Sequence, residues 1–124
     1  MSIKRPTKLS EGEEEFALQC RAVGIHMERE AELIPGRKWR FDFCNRSRMV
    51  ICEVNGGNRL ATIGRDGKPY AVGRHTLDED YRKMNAASLL GYRIYVFTPA
   101  MVKSGEAITM MLQEQKRVTI QIDT

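Results

Sequence analysis

The sequence predicts an α/β protein built on a central mixed β-sheet flanked by helices, with elements in the order α-β-β-β-α-β-α-β. Three observations carry that prediction. Two apolar, β-branched and aromatic runs between Arg37 and Gly57 are separated by the short polar stretch Asn45 to Arg48, the pattern of a β-hairpin. Stretches with helical spacing and cap signals lie before and after it, at 10–24 and 76–90. A run with apolar residues on both faces, Tyr92 to Thr98, then sits between two helical stretches, as in a sheet covered on both sides.

The first helix has Ser10 as N-cap and Glu13 three residues on, a capping box, and its glutamate-rich first turn suits the helix dipole. Phe16, Cys20 and Val23 form its apolar stripe and Gly24 ends it, which places Glu13 on the inward face one turn before Phe16. Ile25 to Ile34 alternates weakly and runs into the Pro35-Gly36 turn, so a short edge strand is expected, with His26 exposed beside it. In the hairpin, side chains alternate between faces. Trp39, Phe41 and Phe43 then point one way and Arg40, Asp42 and Cys44 the other; Val50, Cys52 and Val54 oppose Ile51, Glu53 and Asn55. Leu60 to Ile63 and Pro69 to Val72 form a smaller hairpin that turns at Asp66-Gly67.

Thr76 or Asp78 caps the second helix, which runs through Leu90 and closes at Gly91. Leu77, Tyr81, Met84 and Ser88 trace one stripe; Asp80, Lys83, Ala87 and Leu90 trace another, which sets Asp80 and Lys83 at i,i+3 pairing distance. Tyr92 to Thr98 is expected in the centre of the sheet. Thr98 caps a third helix opened by Pro99 and running to about Gln115, with Met101, Val102, Ile108 and Leu112 inward, a bend at Gly105, and Met110 and Met111 as core filler. Val118, Ile120 and Ile122 alternate in a last edge strand over Arg117–Ile122.

Length and composition narrow the function classes. A chain of 124 residues with 42% hydrophobic and 29% charged residues is enough for one folded domain with a single core, expected over 10–124 behind a flexible basic arm over 1–9. The net charge of +4 is compatible with nucleic acid as partner. No apolar run reaches the roughly 18 residues of a membrane span, and no apolar segment follows the basic start, so neither membrane association nor a signal peptide is expected. Cys20, Cys44 and Cys52 are odd in number and form no C-x-x-C, which fits buried free thiols in a reducing cytoplasm better than a disulfide framework or a zinc site. Gly67-Lys68 is not a phosphate loop: Pro69 stands where Ser or Thr belongs, and Thr62 where the upstream glycine belongs.

The chemistry concentrates in the first hairpin. Asp42 and Glu53 each stand in an otherwise apolar strand, and a buried carboxylate needs a partner, a hydrogen bond or a metal. Two on paired strands repel unless a cation lies between them. That is the layout of a divalent-metal site made of hard oxygen ligands.

At these residues the sequence resembles the PD-(D/E)XK nuclease superfamily, and within it the small single-domain phage and bacterial endonucleases of the very-short-patch-repair and Holliday-junction-resolvase kind. The resemblance rests on Arg40–Phe43, Glu53–Gly57, Gly73–Thr76, Asp80–Ala87 and Gly91–Ile94, five pieces in order over roughly 13–105. It implies a restriction-endonuclease-like core and a magnesium- or manganese-dependent DNA endonuclease acting on branched or nicked DNA in phage DNA processing or recombination. It implies a cytoplasmic location, in a bacterium or a phage-infected host cell, and action as a homodimer or by DNA shape. The metal would be held by Asp42, Glu53, the Val54 carbonyl and Glu13, with Glu14 and Glu15 as the other helical candidates. Two departures matter: Phe41, not proline, precedes Asp42, a mild change, and, more seriously, Asn55 stands two residues after Glu53, where the family has a catalytic lysine. His75, as base or phosphate contact, and Lys83, from the following helix, are the residues on hand to replace it. Arg40, Arg59, Arg65, Lys68 and Arg74 are the expected contacts to the nucleic-acid backbone. The rival implied by Asn55 is a nuclease fold with a degenerate site, used to bind DNA or a protein; an RNA-cutting effector with the same metal chemistry is a third reading.

Overall fold

The structure, a computed structural model, describes residues 11–55, 62–63, 69–70 and 74–117. The Ser10 cap, the Asp66-Gly67 turn and all but the first residue of the expected strand over Arg117–Ile122 lie outside the described residues. In chain order the elements are α1 (Glu11–Ala22), β1 (Glu28–Ala31), β2 (Phe41–Asn45), β3 (Val50–Val54), β4 (Thr62–Ile63), β5 (Pro69–Tyr70), α2 (Arg74–Leu89), β6 (Arg93–Phe97), α3 (Pro99–Ser104) and α4 (Glu106–Gln115).

β1, β2, β3 and β6 form a mixed sheet in that order, antiparallel through β3 and parallel between β3 and β6; β4 and β5 pair separately. The α/β architecture is the expected one. Its order differs in two respects: the small hairpin adds its own two strands, and the third helix is two. Gly105 takes φ 91, and its N–H closes α3 on the Val102 carbonyl before α4 begins. Only glycine adopts that left-handed conformation without steric cost, so the expected bend is a break.

Two apolar clusters cover the two faces of the sheet. On one face Phe16 and Cys20 of α1, Phe43, Val50, Cys52, Val54, Phe97, Val102 and Met111 pack together. On the other, Ala31, Phe41, Cys44 and Ile51 meet Ala87 of α2. The three cysteines are buried and free, and burial pushes the Cys20 thiol up to about 12. Among the described residues no helix is long and apolar enough to cross a membrane.

Several expectations are corrected here. Phe41 and Phe43 do not share a face: Phe43 belongs to the α1 cluster and Phe41, with Cys44, to the α2 cluster. Alternation therefore breaks at Asp42. Among the described strands β6 lies at one end of the sheet, not at its centre; Phe97 and Tyr95 pack on the α1 cluster and Ile94 on the α2 cluster, while Val96 is exposed, so apolarity on two faces reports contact with both clusters rather than lateral position. α2 starts at Arg74, ahead of both Thr76 and Asp78. Val23, Leu112 and Met110 are exposed, and Ala107, Met111 and Glu114 form the inward line of α4.

Candidate active site

The site is built where β2 and β3 stop pairing as a regular ladder. Their register runs Asn45↔Val50, Cys44↔Ile51 and Phe43↔Cys52. One step further on, side chains take over. The Asp42 N–H donates to Glu53 Oε2 at 2.8 Å, and the Val54 N–H donates to Asp42 Oδ2 at 2.9 Å. Each strand thus uses its carboxylate to cap the other's backbone, which fixes both side chains at the same end of the sheet. Val54, expected through its carbonyl, is tied to the site by its N–H. Asn55 follows at once, half-buried, with its N–H donated to the Phe97 carbonyl at 2.9 Å.

Glu53 is 7% exposed, the more deeply buried of the two carboxylates. Its second oxygen accepts from Lys83 Nζ at 3.2 Å. Lys83 comes from the middle of α2, stands over the Phe41 ring with Nζ 4.7 Å from its centroid, and donates to the Arg40 carbonyl at 2.5 Å. Burial pushes the Glu53 carboxyl above the usual carboxylate range and the Asp42 charge adds to that, while Lys83 and the Asp42 N–H act in the opposite sense.

Asp42 gathers two other carboxylates. Oxygens of Glu13, Glu30 and Asp42 all lie within 4.8 Å of one another. Glu13 reaches in from the first turn of α1. Glu30 is the residue of β1 between Arg29 and Ala31, whose partners are Phe43 and Phe41, so it stands opposite Asp42. Its φ is 53. A non-glycine residue in that left-handed region costs roughly 1–2 kcal/mol, so the backbone is held there by its surroundings. Burial first, then the Asp42 and Glu30 charges, push the Glu13 carboxyl up to about 7, against the pull of Arg29. Arg29 Nη2 lies 3.8 Å from Glu13 and 3.5 Å from Glu14.

This donor set fits a divalent cation. Ligand oxygens lie roughly 2.0–2.6 Å from magnesium or calcium, so two ligands of one ion are separated by at most about twice that. Three carboxylate oxygens within 4.8 Å meet the condition, and their mutual repulsion, visible in Glu13, is what a cation relieves.

Of the residues singled out from the sequence, Asp42, Glu53, Glu13 and Lys83 come together. Glu14 is drawn off to Arg29, and Glu15 lies near Gln19, 3.5 Å from its amide. Arg40 is exposed beside the site, 3.5 Å from Glu32. Arg74 and His75 fall in the first turn of α2; Arg59, Arg65 and Lys68 lie outside the described residues. Glu30 was missed. In the sequence it is one of three alternating glutamates (Glu28, Glu30, Glu32), and only the register of β1 on β2 distinguishes it.

No family model matches the sequence, and no curated protein matches it. Among solved structures, the homing endonuclease I-Bth0305I catalytic domain is similar to this chain with a TM-score of 0.59, over 85% of this chain and 92% of that one, at 15% identity. The fold is therefore one that a homing endonuclease catalytic domain also adopts.

Proposed function

We propose that the protein is a metal-dependent DNA endonuclease of the PD-(D/E)XK kind, hydrolysing phosphodiester bonds in branched or nicked DNA. The observation that carries this reading is the convergence, at one end of the sheet, of the Glu13–Glu30–Asp42 carboxylates with the buried Glu53–Lys83 pair. The similarity to a homing endonuclease catalytic domain supports it at the level of fold.

Asp42, Glu13 and Glu30 would hold magnesium or manganese, with Glu53 and the Val54 carbonyl at its border. Bound there, the ion polarises a phosphodiester and acidifies a water. The chain's own groups do the rest. Glu53 fixes the Asp42 backbone and anchors Lys83, whose ammonium supplies the positive charge that Asn55 does not. A cation held in a largely dry setting stabilises charge that develops on the phosphate. His75 serves as base or phosphate contact. Arg40, Arg59, Arg65, Lys68 and Arg74 grip the backbone, so that binding weakens steeply as salt rises.

Asn55 favours a second reading, a degenerate nuclease fold that binds DNA without cutting it. One experiment separates the two. Supercoiled plasmid, linear duplex, single strand, flap, four-way junction and an RNA are incubated with magnesium, manganese or chelator. Metal-dependent cutting that disappears in Asp42→Ala and Glu53→Ala, with DNA binding retained, supports the enzyme. Equal cutting by both variants removes the assigned site, and shape-selective binding with no cutting under either metal leaves the binding module. Preference for RNA would move the substrate class without moving the site.

A further inference from the structure

One turn along α1 from Glu13, a partly open cavity of about 230 Å³ lies between α1, the Ile25–Met27 connection and the paired strands β1 and β2. Its walls include Ala17, Met27 and Phe43; around them stand Arg21, His26 and Arg29. Of these residues only Arg29, through its ion pair with Glu13, touches the carboxylates described above. Small-molecule sites are usually roughly 300–1,000 Å³, so this cavity suits a single ring system rather than a whole nucleotide.

Arg29 joins the cavity to the carboxylates. It lines the cavity, stacks over the Phe43 ring at 4.8 Å, and reaches Glu13 and Glu14 with its outer nitrogen. Its Nε is buried and has no hydrogen-bond partner among the described residues, a donor left over beside the cavity. Glu13 and Ala17 are separated by about 6 Å along the helix axis. A phosphate at the carboxylates and a ring in the cavity are thus spaced as parts of one nucleotide, with Arg29 between them.

We propose that this cavity takes an unpaired nucleobase of the strand being cut, next to the scissile phosphate. The chemistry is complementary: a base offers apolar faces to Met27 and to the flat Arg29 guanidinium that covers Phe43, and ring acceptors to arginine donors. A base inside a duplex cannot enter, because it is stacked and paired. Extrusion costs a few kcal/mol and least where the base already lacks a partner. The inference rests on the nuclease reading for its substrate and narrows it to DNA with an unpaired nucleotide beside the cut.

The test reads binding apart from turnover. Metal-free full-length protein is titrated with adenosine or guanosine 5′-monophosphate while the Met27 methyl signal is followed by NMR. A saturable shift is expected, abolished in Ala17→Leu, which fills the cavity, and weakened in Arg21→Ala, an exposed position that leaves the core intact. In chelator, DNA with one unpaired 2-aminopurine should bind about tenfold more tightly than its fully paired counterpart, and Ala17→Leu should remove the difference. An unmoved Met27 signal, a shift unchanged in both variants, or equal affinity for paired and unpaired DNA overturns the proposal. Cutting under magnesium or manganese without monophosphate binding would remove the pocket and leave the nuclease. Monophosphate binding lost in Ala17→Leu, with no cutting under either metal, would keep the pocket and remove the nuclease.

Discussion

Lys83 and Glu53 form an ion pair at 3.2 Å in a largely dry place. Their side chains are 12% and 9% exposed, and the ammonium also satisfies the Arg40 carbonyl. Removing one member of a buried pair leaves an uncompensated charge and costs about 3–5 kcal/mol, whereas removing both costs less. Lys83→Met should therefore lower stability in urea by about 3 kcal/mol, and Lys83→Met with Glu53→Gln should recover part of that loss. A single-variant cost below about 1 kcal/mol, or strict additivity, would show that the pair does not anchor the site. In the same variant, the proposed mechanism, in which Lys83 would act on phosphate charge rather than on the metal, predicts that cleavage falls by about 100-fold with manganese affinity little changed. At this scale the carboxylates of the hairpin were legible from their apolar neighbours. The contact of Lys83 with Glu53 was legible only as a candidate, because it joins residues 30 positions apart in the chain.

Elements are docked by a second buried carboxylate, far from the first in chain and chemistry. Glu114 of α4 is 4% exposed and accepts from Tyr95 Oη at 2.6 Å, from Arg48 Nη2 at 3.3 Å, and from Arg93. Burial pushes its carboxyl up, but Tyr95, Arg93 and Arg48 together hold it below the usual carboxylate range. A folded pKa below the unfolded one gives stability that is full above the unfolded value and is lost as pH falls through the folded one. Thermal melting should therefore be flat in this respect above about pH 5 and fall below it. Glu114→Gln should lose about 2 kcal/mol at neutral pH and show the shallower acid limb; an unchanged acid limb would sink the assignment. The opposite end of the helical layer depends on closeness instead. A Cβ on Gly12 would meet Pro99 Cβ and Val54 Cγ1, both at 3.2 Å. Gly12→Val should cost about 2 kcal/mol by chemical denaturation, because α1, α3 and the end of β3 have no room to part without moving Asp42's partner Val54. None of this spacing is readable from periodicity, which marks the face of a helix and not how near its neighbour comes. The same limit explains Phe41 and Phe43: alternation assigned them one face, and the break at Asp42 that separates them is made by contacts between strands.

For the molecule as a whole, the sheet flanked by helices was legible because each element carries its own period and cap, and those signals are local. What escaped is what strand pairing creates: the end position of β6 among the described strands, and Glu30, brought opposite Asp42 by the register of β1 on β2. That juxtaposition would tie stability to the proposed metal. Three carboxylates held within 4.8 Å in the folded chain are dispersed on unfolding, so a divalent cation taken at this site would bind the native state and not the unfolded one. A ligand at a hundred times its Kd adds about 2.7 kcal/mol, roughly 10 °C in melting temperature for a domain of this size. Magnesium or manganese should therefore raise the melting temperature in a saturable way, and Asp42→Asn should abolish most of the rise. Glu30→Asn separates the two contributions. Asparagine tolerates the left-handed backbone at this position better than glutamate, and the change removes a like charge beside Asp42 and Glu13. The metal-free variant should be about 1 kcal/mol more stable than the parent and gain less from the metal. A parent protein whose melting is indifferent to both ions, or a Glu30→Asn variant that gains as much from them as the parent does, would show that the strained glutamate is not held in place for a cation.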